Sequence, residues 1–481
     1  MRNHATLFPA MVVFLFFSFC KKTGNNAVPD PELQKVIVTV DPAVRFQKIE
    51  GFGFFGAADV WWSDANTMWN DAWGEKVISD LGISIWRNEM YPPSIPGWQN
   101  VEWSKQQPVV QGLKAKADKH NVDLKFITSV WSPPADLKWT CNFTWAGDPN
   151  ATRSPGIVST RDGGTLNPNK YNEYADWLKS HIQLYKNEGI DLYALSLQNE
   201  PLFREPYNSC MYTSAWYNDL VKAVVPQLKS SFPGVKVFGS ENMLEMEGKE
   251  ENWPHFYHNN IKNDAVASAN IDMLAVHGYS DGIAPSSGSA LAGMWTNHEK
   301  NFSTPMNKQT WMTETSGYTD NWEKAAKPGA INLALDMHAA LAYGNISAWV
   351  WWQGAEASSS EFSLMTGLQG GKKYYVSKQF YRYIRPGALR VKCSSTDPEF
   401  FTTAFIHTGK GTFTILLINS GDQAKTVSIA GTDVPASFVM YRTNATNENC
   451  TLIKEINVQD AKGFEVPAKS VITLQFGGDA L

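Results

Sequence analysis

A (β/α)8 barrel carrying a side β-sandwich is the fold class this chain predicts, and three observations predict it. Eight short apolar runs alternate with helical patterns between residues 48 and 385. Beyond about Val391 the helical spacing stops, and short alternating runs separated by Gly, Asp and Asn take over. Residues 36–40, ahead of the barrel, alternate in that same manner and are followed by Asp41 and Pro42. Strands alternating with helices build parallel sheets, and eight such units close into a barrel.

The apolar runs occupy residues 49–56, 83–88, 124–131, 192–198, 235–240, 273–277, 309–313 and 346–352. Between them lie segments such as 171–187, 214–231 and 330–343, whose apolar residues recur at helical spacing. An open doubly wound sheet is the competing architecture. It would announce itself with a Gly-rich phosphate loop after the first strand, and Gly51-Phe52-Gly53-Phe54-Phe55-Gly56 is crowded with aromatics instead. The later runs, 401–406, 412–417, 426–429 and 470–476, read as sandwich strands. The expected organisation is therefore an export signal over 1–20, a linker over 21–34, a strand over 35–47 that joins the sandwich, the barrel over 48–385 and the sandwich over 386–481. Arg385-Pro386-Gly387 would form a short, stiff link.

Composition narrows the function classes. With 481 residues the chain can bury a large core, and a net charge of -5 without a basic stripe argues against nucleic acid as a partner. Nineteen tryptophans and seventeen tyrosines mostly pack a core, yet aromatics beside the barrel mouth would suit the C–H face of a sugar ring. Arg2 followed by apolar residues 7–19 reads as an export signal, too short to span a bilayer. The run ends at Cys20-Lys21-Lys22, which resembles a bacterial lipoprotein signal with Cys20 as the lipid-bearing residue. The expected location is outside the cytoplasm: outer membrane or cell surface through that anchor, or periplasmic or secreted. The other four cysteines are placed in two groups, Cys141 with Cys210 and Cys393 with Cys450; pairing within each group is the preferred expectation, with four free thiols as the alternative.

The chemistry is expected at the C-terminal ends of the barrel strands. Strand two ends in Arg87 and Asn88, strand three in Trp131, and strand four in Asn199 and Glu200. Strand five ends near Glu241, strand six gives His277 and Tyr279, strand seven Glu314, and strand eight Trp351 and Trp352. Two carboxylates facing one cavity can divide acid and nucleophile duties, as glycoside hydrolysis with retention requires. Asn199 can offer an N–H to a sugar hydroxyl, and Arg87 or Tyr279 can hydrogen-bond Glu314 and hold it as the anion. Burial and the neighbouring charge should raise the pKa of Glu200. Taken singly, each residue has a bland reading: Glu200 before Pro201 as a loop residue, His277 as a structural histidine, Arg87 as an ion-pair partner, Glu241 as a cap outside the central pair. Their gathering at the strand ends of one barrel outweighs those readings. No strand end offers a lysine for Schiff-base chemistry, and the nine histidines form no metal-ligand spacing, so neither a metal nor a cofactor is expected.

Asn199-Glu200-Pro201 after strand four, with a glutamate after strand seven, resembles the clan of retaining (β/α)8 glycoside hydrolases. Ile49-Glu50-Gly51-Phe52-Gly53, Trp131-Ser132-Pro133-Pro134-Ala135, Ser196 through Pro201, His277-Gly278-Tyr279 and Ile384-Arg385-Pro386-Gly387-Ala388 together resemble glycoside hydrolase family 30. The resemblance implies Glu200 as acid/base and Glu314 as nucleophile, with substrate contacts from Asn199, Trp131, Tyr279 and Trp351; Arg87 and His277 join the substrate-binding set. Phe54-Phe55-Gly56-Ala57-Ala58-Asp59 departs from the commoner family pattern by its aromatic bulk. The segment 208–213 looks closer to the bacterial endo-xylanase branch. Some members of that branch hold a glucuronic acid through a basic residue in the loop after strand eight. Here residues 354–363 are acidic, and Lys372 and Lys373 read as a solvated turn. The expected activity is thus retaining endo-hydrolysis of β-1,4-xylan by a monomer. The alternatives are a β-1,6-glucanase, an exo-acting, glucosylceramidase-like β-glycosidase, or a carbohydrate-binding protein without turnover.

Overall fold

The computed structural model describes residues 33–56, 60, 69–92, 103–156, 159–249, 256–279, 290–478 and 481. The expected signal with Cys20, residues 21–32 of the linker, and Ala57, Ala58 and Asp59 lie outside the described residues. Eight parallel strands close into a barrel in chain order: Gly51–Phe55, Ile85–Glu89, Lys125–Ser129, Ala194–Ser196, Lys236–Met243, Met273–His277, Thr310–Glu314 and Ala348–Trp352. Side chains alternate across each strand. Ile85, Ile127, Ala194, Phe238, Ala275, Trp311, Ala348 and Val350 fill the barrel interior as a core of their own. Their neighbours Trp86, Phe126, Leu195, Leu274, Met312 and Trp349 face the surrounding helices.

The helices follow from the spacing of their apolar residues. In Tyr171–Asn187 the buried positions are Tyr174, Ala175, Leu178, His181, Ile182 and Tyr185, one stripe against the barrel. Ser214–Ser231 starts where the Thr213 side chain accepts a hydrogen bond from the Trp216 backbone N–H at 3.2 Å, a standard N-cap. Ala330–Ala342 is apolar nearly all round and correspondingly buried on nearly every side, because it packs against both the barrel and the side domain, where His338 meets Phe401.

The side domain contains nine hydrogen-bonded strands. Strand Gln34–Lys48 pairs antiparallel with Leu389–Ser395 and parallel with Lys425–Ala430, so the start of the described chain sits inside a sheet made by its end. Val36, Val38 and Val40 share one core with Ile415, Leu417, Ile472 and Leu474 and with Val427 and Val466. Strands far apart in the sheet order meet there, so the sheet folds over its own core. The crossing to the barrel is tied by reciprocal backbone bonds, Ile49 N–H to Ala388 O and Gly387 N–H to Ile49 O, both 2.8 Å. Trp322 Nε1 adds a 2.8 Å bond to Lys469 O.

Two expectations are corrected here. All four described cysteines are free thiols. Cys393 contacts Thr402 Oγ1 at 3.1 Å, whereas Cys450 lies beside the Tyr383 hydroxyl at 3.8 Å. Cys393 lies on the strand Leu389–Ser395 and Cys450 just before the strand Thr451–Asn457, five places away in the sheet order. Lys372 and Lys373 are not a solvated turn. The Lys373 side chain is fully buried, and its ammonium donates to Ser360 O and Ser363 O at 2.6 Å each. Lys372 Nζ donates to Thr446 O and Asn449 Oδ1, both at 2.7 Å.

Candidate active site

A cavity of about 390 Å³ opens at the C-terminal mouth of the barrel, lined by Glu89, Trp131, Asn199, Glu200, Tyr279, Glu314 and Trp352 from strand ends and their loops. Phe203, Glu205, Tyr207 and Asn208 from the loop after strand four, Met243, and Phe362 from the loop after strand eight complete the wall. This is the size class of small-ligand sites.

Strict alternation would not deliver every acid to this mouth. Trp311 points inward, so Glu314, three residues on, would face the helices. The pairing with strand six slips, from Val276 opposite Met312 to His277 opposite Glu314, which leaves Thr313 as an extra residue and turns Glu314 inward. A second slip on strand five, between Ser240 opposite Ala275 and Asn242 opposite Val276, isolates Glu241. Glu241 has φ +61° and Glu200 φ +45°, a left-handed backbone that costs a non-glycine residue about 1 kcal/mol or more. Strain of this kind collects where side-chain direction matters.

Arg87 lies under the cavity floor, fully buried, and commits its donors in four directions. Nη1 reaches Glu314 Oε2 at 2.6 Å, Nη2 reaches Asn199 Oδ1 at 2.8 Å and Glu241 Oε1 at 3.0 Å, and Nε reaches Ser129 Oγ at 3.2 Å. The Trp131 ring covers the guanidinium at 4.8 Å. His277 is also fully buried; Nδ1 lies 2.8 Å from Glu200 Oε1 and Nε2 lies 3.4 Å from Glu241 Oε1. The Tyr279 hydroxyl donates to Glu314 Oε1. A carboxyl oxygen of Glu200 and one of Glu314 lie within 4.8 Å of each other.

The charges sort themselves by neighbour. Burial raises the pKa of Glu200, and the negative charge of Glu314 adds to it, against the hydrogen bond from His277. Burial alone would raise Glu241 too, but the Arg87 charge and His277 outweigh it and hold Glu241 at about 2. His277 is moved the other way: burial disfavours its cation, yet the charge of Glu314 and the bonds to Glu200 and Glu241 bring it up to about 9. Arg87 and His277 thus supply the positive charge that Glu241 and Glu314 face, and Glu200 is the carboxyl that burial pushes toward its protonated form. Glu200, His277 and Glu314 are close enough to suggest a metal ligand set. An imidazole that donates from both ring nitrogens to carboxylates has no lone pair to give, so the cluster suits proton sharing instead.

Of the residues singled out from sequence, Glu200, Glu314, Asn199, Trp131 and Tyr279 line the cavity. Arg87 and His277 sit beneath it and hold the carboxylates in place of touching a ligand. Trp351 is corrected: it is buried among the helices with its indole N–H on Phe362 O at 2.6 Å, and the inward neighbour Trp352 lines the cavity, stacked on Phe55 at 4.4 Å. Glu241, left outside the central pair on sequence, is the counter-ion that Arg87 and His277 share. Its signal was its place after strand five. Glu89 and Asn208 were missed; Glu89 also ends a barrel strand, whereas Asn208 comes from an irregular loop with no periodic signature.

The glycosyl hydrolase family 30 TIM-barrel domain matches residues 102–371. Glucuronoxylanase XynC of Bacillus subtilis (strain 168) is 25% identical over 458 residues, covering 93% of this chain and 90% of that protein. Among solved structures, a GH30 endoxylanase from Clostridium papyrosolvens C71 matches with a TM-score of 0.69 at 24% identity, over 92% of this chain and 100% of the other. An endo-β1,6-glucanase matches equally well in shape, TM-score 0.69 at 20% identity, over 93% and 94% of the two chains. With a family model spanning more than half of its length, the chain belongs to glycosyl hydrolase family 30.

Proposed function

We propose that this glycosidase cleaves a β-linked polysaccharide, β-1,4-xylan first among candidates, internally and with retention of anomeric configuration. The observation that carries the reading is the Glu200–Glu314 pair: carboxyl oxygens within 4.8 Å, in opposite electrostatic settings. Retaining enzymes hold their carboxyls roughly 5–5.5 Å apart, whereas inverting ones leave about 6.5–9.5 Å for a water. Glu200, kept protonated by burial, donates to the departing glycosidic oxygen. Glu314, fixed by Arg87 and Tyr279, attacks the anomeric carbon and forms a glycosyl ester. Glu200, now the anion, takes a proton from water as that water attacks the ester. Arg87 accepts no proton in this cycle; it orients. By occupying Asn199 Oδ1 it turns the Asn199 amide N–H toward the cavity, where it can donate to a sugar hydroxyl.

Charge balance explains the third acid. Before attack, Glu241 and Glu314 balance Arg87 and His277; in the ester, Glu241 and Glu200 balance the same two cations. Glu241 is the permanent anion that lets the negative charge pass between the other two without the buried site departing from neutrality.

The xylan reading is supported by the endoxylanase relatives, and endo action by Tyr207 and Phe362, exposed at the cavity wall. The shape match to an endo-β1,6-glucanase supports β-1,6-glucan as the second reading. Proton NMR of the first products from xylan and from β-1,6-glucan tests both parts. β-Anomeric oligosaccharides from xylan are expected first. Early α-anomer would refute retention, and monosaccharide alone would refute endo action.

A further inference from the structure

Glu89 ends strand two, two residues beyond Arg87, and feels the charges of Arg87 and Glu314 only at a distance. Its side chain makes no ion pair with a described residue. Its Oε1 accepts from Asn208 Nδ2 at 3.0 Å, and Tyr91 is the other donor facing it. Both Glu89 and Asn208 line the cavity while being 3% and 1% exposed. Because the carboxyl needs the amide N–H, the orientation of Asn208 is fixed, and its Oδ1 is left buried without a hydrogen-bond partner. A carboxylate has about four acceptor positions, so two remain open here. Burial, opposed by the Asn208 bond, pushes Glu89 up to about 7. In its ionised form Glu89 thus places open acceptor positions beside the unpartnered Asn208 Oδ1 in the wall. Such groups are costly unless a ligand supplies the donors.

The rest of the lining narrows that ligand. Glu200, Glu205 and Glu314 share the cavity with Glu89, and no lysine or arginine lines it among the described residues. The cations below are committed: Arg87 to Glu314, Asn199, Glu241 and Ser129, and His277 to Glu200 and Glu241. Lys372 and Lys373, the cations nearest in sequence to the loop bearing Phe362, are spent on Thr446 O and Asn449 Oδ1 and on the Ser360 and Ser363 carbonyls. A carboxylate on the sugar would meet like charge and no counter-ion.

We propose that Glu89 and Asn208 form a hydroxyl-reading pair that selects an uncharged sugar with adjacent hydroxyls and turns away uronic acids. The proposal rests on the reading of this cavity as the sugar-binding site. It departs from what the name of the glucuronoxylanase relative suggests, since no described residue of this wall offers a glucuronate a free cation.

The test uses the full chain carrying Glu314→Gln, which prevents turnover, titrated calorimetrically with xylotetraose, gentiotetraose, methyl β-glucoside and methyl β-glucuronide. The better-bound tetraose should lose roughly tenfold or more in affinity on adding Glu89→Leu, and likewise on adding Asn208→Ala. Methyl β-glucuronide should bind at least tenfold more weakly than methyl β-glucoside. Tetraose affinity unchanged within twofold in both folded double variants, or equal binding of the two methyl glycosides, would overturn the proposal. Wild-type hydrolysis is assayed in parallel. If it fails while binding still depends on Glu89, the glycosidase mechanism falls and the recognition pair stands. If hydrolysis proceeds and Glu89 is indifferent, the reverse holds.

Discussion

Glu241→Gln should lower the pKa of His277 without removing a hydrogen-bond acceptor. Glu241 Oε1 lies 3.4 Å from His277 Nε2, both side chains fully buried. At an effective dielectric of about 20, two unit charges at that distance attract by about 5 kcal/mol. Arg87, 3.0 Å from the same oxygen, takes up part of the Glu241 field. An opposite charge at such range commonly shifts a pKa by about one to three units. His277 should therefore titrate near 9 in the wild type and at roughly 6–8 in the variant. The linkage has a definite sign. The folded pKa lies above the ordinary 6.5, so the stabilisation is complete below about pH 6.5 and disappears as pH rises through about 9; it amounts to about 3 kcal/mol. Lys373, held down at about 8 by burial, acts oppositely, since its stability penalty is relieved as pH rises above that value. Global unfolding would mix the two effects, so the assay is the pH titration of assigned imidazole ¹⁵N resonances. A wild-type His277 midpoint at or below 6.5, or one that Glu241→Gln leaves in place, would refute the charge arrangement.

Other perturbations follow from the same contacts. Tyr279→Phe removes a hydroxyl donor from Glu314 and should reduce kcat/KM by about 10- to 100-fold, with little change in melting temperature, as a charged hydrogen bond of about 1.5–3 kcal/mol implies. Trp352→Ala should raise KM for oligosaccharides by losing the cavity wall stacked on Phe55, whereas Trp351→Phe should lower the melting temperature and spare KM, since it loses the bond to Phe362 O and ring volume in a buried site; equal KM effects would refute the assignment of faces. Lys373→Met leaves two carbonyls of the loop after strand eight without their donor. It should cost about 1–3 kcal/mol in chemical denaturation and make residues 360–363 more susceptible to proteolysis.

The barrel was legible because eight apolar runs and their helical spacers are strong periodic signals, and every one of the eight runs overlaps an observed strand. The central acids were legible for a different reason: they stand just past apolar runs, where a carboxylate has no business in a core. What periodicity alone mis-states is direction. It would send Glu314 toward the helices, and only the extra Thr313 in the strand pairing corrects it. The choice between Trp351 and Trp352 failed on the same point, since adjacent residues on a strand face opposite ways and sequence does not mark which is inward. Lys373 was misread because a lysine beside Gly370 and Gly371 resembles a turn. Its burial depends on carbonyls of a loop ten residues earlier. The separation of Cys393 from Cys450 reflects strand order, which no spacing rule contains.

The strand Gln34–Lys48 has a consequence for how the molecule is made. Its partner in the side domain is more than three hundred residues downstream, with Val38 opposite Ser395. As the chain emerges, Val36, Val38 and Val40 precede the whole barrel yet have no sheet to enter until the C-terminal strands arrive. The side domain cannot form vectorially, and long-range closure of this kind slows folding and leaves an apolar edge waiting. A fragment ending after the barrel would carry that unpaired strand permanently and should aggregate.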